Sequence, residues 1–260
     1  MDDYKDILVF LDATRDTPAR LDLAISIARA HGARLLGVDV STPEAFVGDT
    51  KDAAIGLQHM FETRVARAGV EGRYRAVDHS TAAWKDLYAH FCDLVIATQP
   101  GDEGAKLVWP EVPEGVLLSA GVPMLILPVG WQPAPVGEDI VLAWNPSREA
   151  TRAAHDALPL LERARHVTLF EFAPSADHCD TAPDLMLRHL RSHGVNAELF
   201  TWPDDAAMSP VSALFACLGT QEADLIVAGA YGHSRFREKL LNGVTCRFLE
   251  HPLLPMLMSH

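Results

Sequence analysis

Short, nearly unbroken apolar runs alternate along this chain with longer stretches whose apolar residues recur at helical spacing. Asp6 to Asp12 reads Ile-Leu-Val-Phe-Leu between two carboxylates, the signature of an inner strand in a parallel sheet covered on both faces. Thr17-Pro18 then predicts a helix start, with Thr17 as N-cap and Pro18 in the first turn. Leu21, Ala24, Ile25 and Ala28 keep one helical face apolar, and His31-Gly32 supplies the stop. The pattern goes on with a strand over 34–40, a helix over roughly 52–68, a weaker strand over 72–77 and a helix through Trp84, Leu87 and Tyr88. A fourth strand at 93–97, a short helix at 116–120 and a fifth strand at 123–127 complete a strand-helix alternation, which predicts an α/β fold with a parallel sheet.

Pro128 to Gly137, rich in Pro and Gly, interrupts the alternation, and the pattern then begins again. Asp139 to Asn145 mirrors Asp6 to Asp12, with Ile140 opposite Ile7, Ser147 opposite Thr14 and Arg148 opposite Arg15. A helix follows with Ala154, Ala157, Leu158 and Leu161 on one face, and Pro159 should kink or end it. Strands at 167–172 and 197–201 flank a helix over 183–193, and a further helix spans 209–218. Asp224-Leu-Ile-Val-Ala228 then repeats Asp93-Leu-Val-Ile-Ala97, and Pro255-Met-Leu-Met258 repeats Pro123-Met-Leu-Ile126. The chain is therefore expected to be a duplication of a unit of about 130 residues, ordinary for a domain. The expected division is a first domain over 1–130, a linker over 131–137 and a second domain over 138–260.

Composition narrows the function classes. The 260 residues are 48% hydrophobic, enough for a packed core in each half. A formal net charge of −13 argues against a nucleic-acid partner or an anionic membrane surface, either of which needs clustered Lys and Arg. The acidic stretch Met1 to Asp6 lacks the basic and apolar regions of a secretory signal, and no apolar run reaches membrane-spanning length. Four widely spaced cysteines, Cys92, Cys179, Cys217 and Cys246, form no CxxC pair, so free thiols in a cytoplasmic setting are expected.

The stretch closest to chemistry is 229–245. Gly229 and Gly232 stand three apart at the end of the predicted strand 224–228, where the absence of a Cβ permits a tight turn and a close ligand approach. A helix start just beyond would offer free N–H groups and a positive dipole end to an anion. His233, Ser234 and Arg235 lie closest to that turn, whereas Arg237 and Lys239 read better as a solvated helix face. A strand exit that binds nothing remains the alternative for the two glycines. Asp177-His178-Cys179-Asp180 combines metal-ligand types, but contiguous ligands rarely reach one ion, so a polar loop is expected and no metal site. The twelve histidines are scattered, with His251 and His260 able to approach the glycine loop only through the fold. Cys246 reads as a buried small residue. No spacing assigns a catalytic triad, and no Walker-type Gly-Lys-Ser/Thr occurs.

A repeated five-strand α/β unit whose fourth strand runs into Gly-x-x-Gly resembles the universal stress protein family in its tandem two-domain form. The resemblance covers essentially the whole chain. It implies two doubly wound, five-stranded parallel-sheet domains related by a pseudo-two-fold, which would make one chain an intrachain pseudo-dimer, with a homodimer of chains as a further step. Members that bind ATP continue Gly-x-x-Gly with nine residues, a third Gly and then Ser or Thr. Here nine residues, His233 to Leu241, lead to Asn242 in the third-glycine place and Gly243 in the hydroxyl place, with Val244 and Thr245 next. Asn tolerates left-handed backbone angles, so the turn can survive the exchange. The family's Asp at the end of strand one is Asn145 in the second copy, with Ser147 beside it. The first copy keeps Asp12 but reads Thr98-Gln-Pro-Gly-Asp-Glu-Gly104 after strand four, so it is expected to be a degenerate partner that binds nothing. The implied cofactor is ATP or another adenine nucleotide, accompanied by Mg²⁺, in a stress-response binding protein with no catalytic residues and at most weak ATP hydrolysis. The alternative is a tandem scaffold that binds no nucleotide and works through protein partners.

Overall fold

A computed structural model describes residues 3–41, 50–77, 88–99, 101, 108, 112–172, 182–202, 209–230 and 254–260, with the backbone alone at 50–55 and 210–211. The chain divides into two compact units, Met1–Ala134 and Pro135–His260. In the first, β1 (Asp6–Leu11), β2 (Arg34–Asp39), β3 (Gly72–Ala76), β4 (Leu94–Thr98) and β5 (Met124–Leu127) stand in the order β3-β2-β1-β4-β5, every pair parallel. In the second, β6 (Asp139–Ala143), β7 (His166–Phe172), β8 (Ala197–Trp202), β9 (Leu225–Gly229) and β10 (Met256–Ser259) repeat it as β8-β7-β6-β9-β10. The expected α/β fold with parallel five-stranded sheets is what forms. Each sheet reverses its strand order beside its first strand, between β1 and β4 and between β6 and β9, and such a switch point opens a crevice at the carboxyl ends of the strands.

Seven helices cover the sheets among the described residues: α1 (Thr17–His31), α2 (Thr50–Ala68), α3 (Glu114–Ala120), α4 (Arg148–Asp156), the single turn α5 (Leu158–Leu161), α6 (Ala182–Ser192) and α7 (Pro210–Gln221). Gly32 closes α1 with left-handed angles, its N–H turned back on the Ala28 and Arg29 carbonyls, as the His31-Gly32 stop requires. Pro159 lies in the first turn of α5 and leaves α4 to end at Asp156, because a proline there has no N–H to continue the ladder. The start of α1 differs by one residue from expectation: Asp16 occupies the N-cap without a side-chain bond, while the Thr17 hydroxyl is turned inward to Asp12. The helix expected through Trp84 and Leu87 lies outside the described residues, with Tyr88 and Ala89 helical at its far edge.

Strands β1, β4 and β5 are buried along nearly their whole length, as unbroken apolar runs must be when helices cover both faces. The ring of Phe61, fully buried, lies over β2 where Gly37 leaves space; a Cβ on Gly37 would stand 2.6 Å from it. The duplication extends to single hydrogen bonds. The carboxylate of Asp93, just before β4, accepts from the amides of Lys5 and Asp6 at 2.7 and 3.0 Å. Asp224, just before β9, accepts from Gly137 and Glu138 at 2.8 and 2.9 Å. Arg34 pairs with Asp6 at 2.7 Å, and Arg165 pairs with Asp139 in the matching place. Both copies thus tie the entry of their first strand to the entry of the fourth by the same carboxylate-to-amide clasp.

Candidate functional site

Each unit has one switch point, and the chemistry of the two differs. In the first unit Asp12 follows β1 and is 4% exposed. Its Oδ1 accepts from the Thr14 amide at 2.8 Å and from the Thr14 hydroxyl, and lies 2.9 Å from the Thr17 hydroxyl. Its Oδ2 meets Arg20 Nη2 at 2.6 Å. Arg20 is 1% exposed and also donates through Nε to the Phe10 carbonyl at 2.7 Å and through Nη2 to the Thr17 hydroxyl at 2.7 Å. A carboxylate with both oxygens engaged inside the protein, one by a buried guanidinium, has little left to offer a ribose or a base.

The second unit replaces this whole network. At the offset that matches Asp6 to Asp139, Asp12, Thr17 and Arg20 become Asn145, Ala150 and Ala153. Asn145 is exposed and its carboxamide makes no hydrogen bond among the described residues, while its carbonyl accepts from the Ser147 amide at 2.7 Å. The Ser147 hydroxyl caps α4, accepting from the Ala150 amide at 3.2 Å. The cap directs its oxygen along the helix start rather than outward.

Gly229 ends β9 beside β6, and α4 packs across β9 and β10. A Cβ on Gly229 would stand 2.5 Å from the Ala150 amide nitrogen and 2.5 Å from the Glu149 carbonyl carbon. The missing side chain is therefore used by the first turn of α4, backbone on backbone, and this close approach was not part of the sequence argument for that glycine. By the spacing of Asp93 and Asp224, the first unit carries Thr98 in this place. Gly232, His233, Ser234, Arg235, Arg237, Lys239, Asn242, Gly243, Val244, Thr245, Cys246 and His251 lie outside the described residues, as does Asp177 to Asp180. The structure thus brings Asn145, Ser147 and Gly229 to one strand-end region and is silent on the rest of the expected set. His260 does reach that end of the sheet, its Nδ1 3.1 Å from the Ala230 carbonyl oxygen.

Residues at or just past the carboxyl ends of strands retain buried polar atoms without a partner in both units: Ser41 Oγ, Thr98 Oγ1 and Gln99 Oε1 in the first, Trp144 Nε1 and Ser259 Oγ in the second. Ser41 follows β2, near Asp39, whose carboxylate accepts from the Tyr74 hydroxyl at 2.7 Å and the Ser41 amide at 2.9 Å. Burial, the charge of Asp39 and that hydrogen bond all raise the Tyr74 pKa, so the phenol stays protonated as a donor. A surface cleft of ≈ 440 Å³ lies between the start of α1 and Gly130–Pro133, lined in part by Arg15, Asp16 and Trp131. Its Asp16 carboxylate accepts from the Gly130 amide at 3.0 Å, so that acid serves the chain turn after β5.

The thiols described are unpaired and unreactive by environment. Burial, with the Asp93 and Asp6 charges, pushes Cys92 up to about 12, and burial pushes Cys217 up to about 11. Three histidines expected to be scattered are instead neighbours: His155 on α4 and His189 and His193 on or just past α6, with ring centres 5.1 and 4.7 Å apart. Desolvation, then the His155 and His193 rings, lowers the His189 pKa. The spacing of 189 and 193 places both on one helix face and was legible as such; the approach of His155 was not. Arg20 was missed as well, although a charged residue four before Ala24 on an otherwise apolar helix face is a visible signal of a buried ion pair.

No family model matches the chain, and no curated protein matches its sequence. Solved structures do match. A universal stress protein from Archaeoglobus fulgidus superposes with a TM-score of 0.70 at 15% identity, over 98% of this chain and 95% of that one. A candidate universal stress protein from Pseudomonas aeruginosa gives 0.64 at 16% identity over 98% and 93%, and a protein of unknown function from Pseudomonas aeruginosa gives 0.61 at 14% over 98% and 92%. The chain has the fold of the universal stress proteins, in the form that carries two units in one polypeptide. No described helix is long and apolar enough to cross a membrane.

Two stability measurements probe these contacts. Arg20→Met leaves the Asp12 carboxylate buried without its cation and should cost the first unit about 3–5 kcal/mol in urea unfolding, and Asp12→Asn in the same chain should recover most of that loss. Gly229→Ala drives a methyl into the backbone of α4 and should destabilise the second unit by about 1–3 kcal/mol. Gly219→Ala, in open space on α7, should instead stabilise it by up to about 1 kcal/mol.

Proposed function

We propose that this chain is a tandem universal stress protein: a cytoplasmic stress-response binding protein that holds ATP or a related adenine nucleotide, with Mg²⁺, in its second unit. The site runs from Asn145 and Ser147 after β6 across to Gly229, Gly232, His233, Ser234, Arg235 and the Asn242, Gly243, Val244 and Thr245 segment. The observation that carries the reading is the contrast between the two switch points. In the first, Asp12 is consumed by Arg20 and two threonines; in the second, the matching Asn145 is exposed and its carboxamide has no partner among the described residues, beside the strand that leads into Gly-x-x-Gly. The amide offers a donor and an acceptor to a ribose or base without adding negative charge near phosphates. Phosphates would meet backbone N–H groups of the glycine loop and the cations of His233 or Arg235. The role we assign to this set is binding rather than turnover.

A second reading is favoured by one specific contact. The first turn of α4 takes up the space that Gly229 leaves, so that glycine has a packing role whether or not a ligand binds. On this reading the two units form a scaffold for protein partners and bind no nucleotide.

Titration of the pure protein with labelled ATP and Mg²⁺ separates the two. The nucleotide reading expects saturable binding that Gly232→Val abolishes and that Asp12→Asn leaves intact, with phosphate release no greater than in the Gly232→Val control. Absence of saturable binding at millimolar ATP would leave the scaffold reading.

A further inference from the structure

The second unit carries a cluster of imidazoles that the nucleotide reading does not use. His189 and His193 are one helical turn apart, so their side chains leave α6 on the same face, and they meet edge-on with ring centres 4.7 Å apart and planes at 69°. His155, in the last turn of α4, brings a third ring within 5.1 Å of His189. His155 and His193 are exposed, and His189 is half-buried between them with its Nε2 shielded from solvent and bonded to nothing. Asp156, the acid next to His155, is bound to Arg152 at 3.2 Å. Asn145 and Ser147 sit at the opposite end of α4 from His155, about 12 Å away along the helix axis.

We propose that His155, His189 and His193 form a binding site for one divalent transition-metal ion of the class that imidazole favours, Zn²⁺ or Cu²⁺, with water in the remaining position. The spacing fits the chemistry. An ion held at ~2.0–2.1 Å by one nitrogen of each of two imidazoles, at a tetrahedral angle, puts their ring centres about 5 Å apart. Both observed separations are of that size. Three imidazoles and a water make a familiar donor set for Zn²⁺, and Cu²⁺ accepts the same nitrogens. Among the described residues no three donor groups already surround one point. His155 and His193 are exposed, so they close the site by turning about their side-chain bonds at the cost of little more than their present ring contacts with His189. His189, set between the two helices, is the fixed ligand, and its unbonded Nε2 is the atom that gains a partner. An ion there would pin the end of α4 to the end of α6.

Zn²⁺ titration of the metal-free full chain against a chromophoric chelator, under reducing conditions, tests the site. One equivalent should bind in the micromolar range. His189→Gln and His193→Gln should each weaken it by more than the roughly tenfold that loss of an outer-shell partner alone produces, and His155→Gln should weaken it as well. His166→Gln, which removes an imidazole paired with Glu198 at 3.1 Å, should leave it unchanged. Because His193 is exposed, its variant folds whatever the fate of His189, and circular dichroism confirms this. Failure of the unaltered chain to compete, or unchanged affinity and stoichiometry in His193→Gln, overturns the proposal. Loss of Zn²⁺ binding has no bearing on ATP binding, which Gly232→Val probes separately.

Discussion

The first turn of α4 rests on Gly229 with no room for a single carbon between two backbones. That contact decides how near the helix after β6 can come to the end of β9, and so fixes the shape of the second unit's switch point. Ser147 can cap α4 there, and Asn145, two residues earlier in the chain, is left on the outside with no side-chain partner among the described residues. A larger residue at 229 would push the helix outward and take the strand-end loops with it.

The first unit handles the same place by electrostatics. It has Thr98 where the second has Gly229, and it fills the space after β1 with Asp12, Thr17 and Arg20. A buried ion pair of this kind is stabilising only because each charge finds further hydrogen bonds; the Phe10 carbonyl and the Thr14 amide supply them. Replacement of all three residues together in the second unit, by Asn145, Ala150 and Ala153, follows from that interdependence. An aspartate without its arginine, or the reverse, would leave a buried charge uncompensated. The duplicated scaffold therefore keeps one architecture, held by the Asp93 and Asp224 clasps, while its two switch points have opposite character.

Much of the architecture was legible in the sequence because apolar runs, helical spacing and repeated segments are properties of the chain itself. Asp224-Leu-Ile-Val-Ala228 against Asp93-Leu-Val-Ile-Ala97 announces two equivalent strands, and Gly32 and Pro159 mark boundaries through their own backbone chemistry. The site was legible in part. Gly229 was singled out because a missing Cβ permits a tight turn and a ligand's approach; what comes close to it is α4, and a contact 80 residues distant in the chain leaves no mark in local spacing. Thr17 was assigned to the helix end because hydroxyls cap helices; Asp12 and Arg20 compete for the same hydroxyl and win it. His155 joins His189 through packing of α4 and α6 on their sheet, and no period in the sequence connects them.

The central claim is an asymmetry: one polypeptide, two copies of a fold, and a nucleotide site in the second copy alone. Photolabelling with an azido-substituted ATP, followed by peptide mapping, tests it most directly. The account predicts label in peptides spanning Asn145 to Ser147 or Gly229 to Thr245, suppressed by excess ATP. Competable label in the first unit, on peptides spanning Asp12 to Arg20 or Thr98 to Gly104, would contradict it.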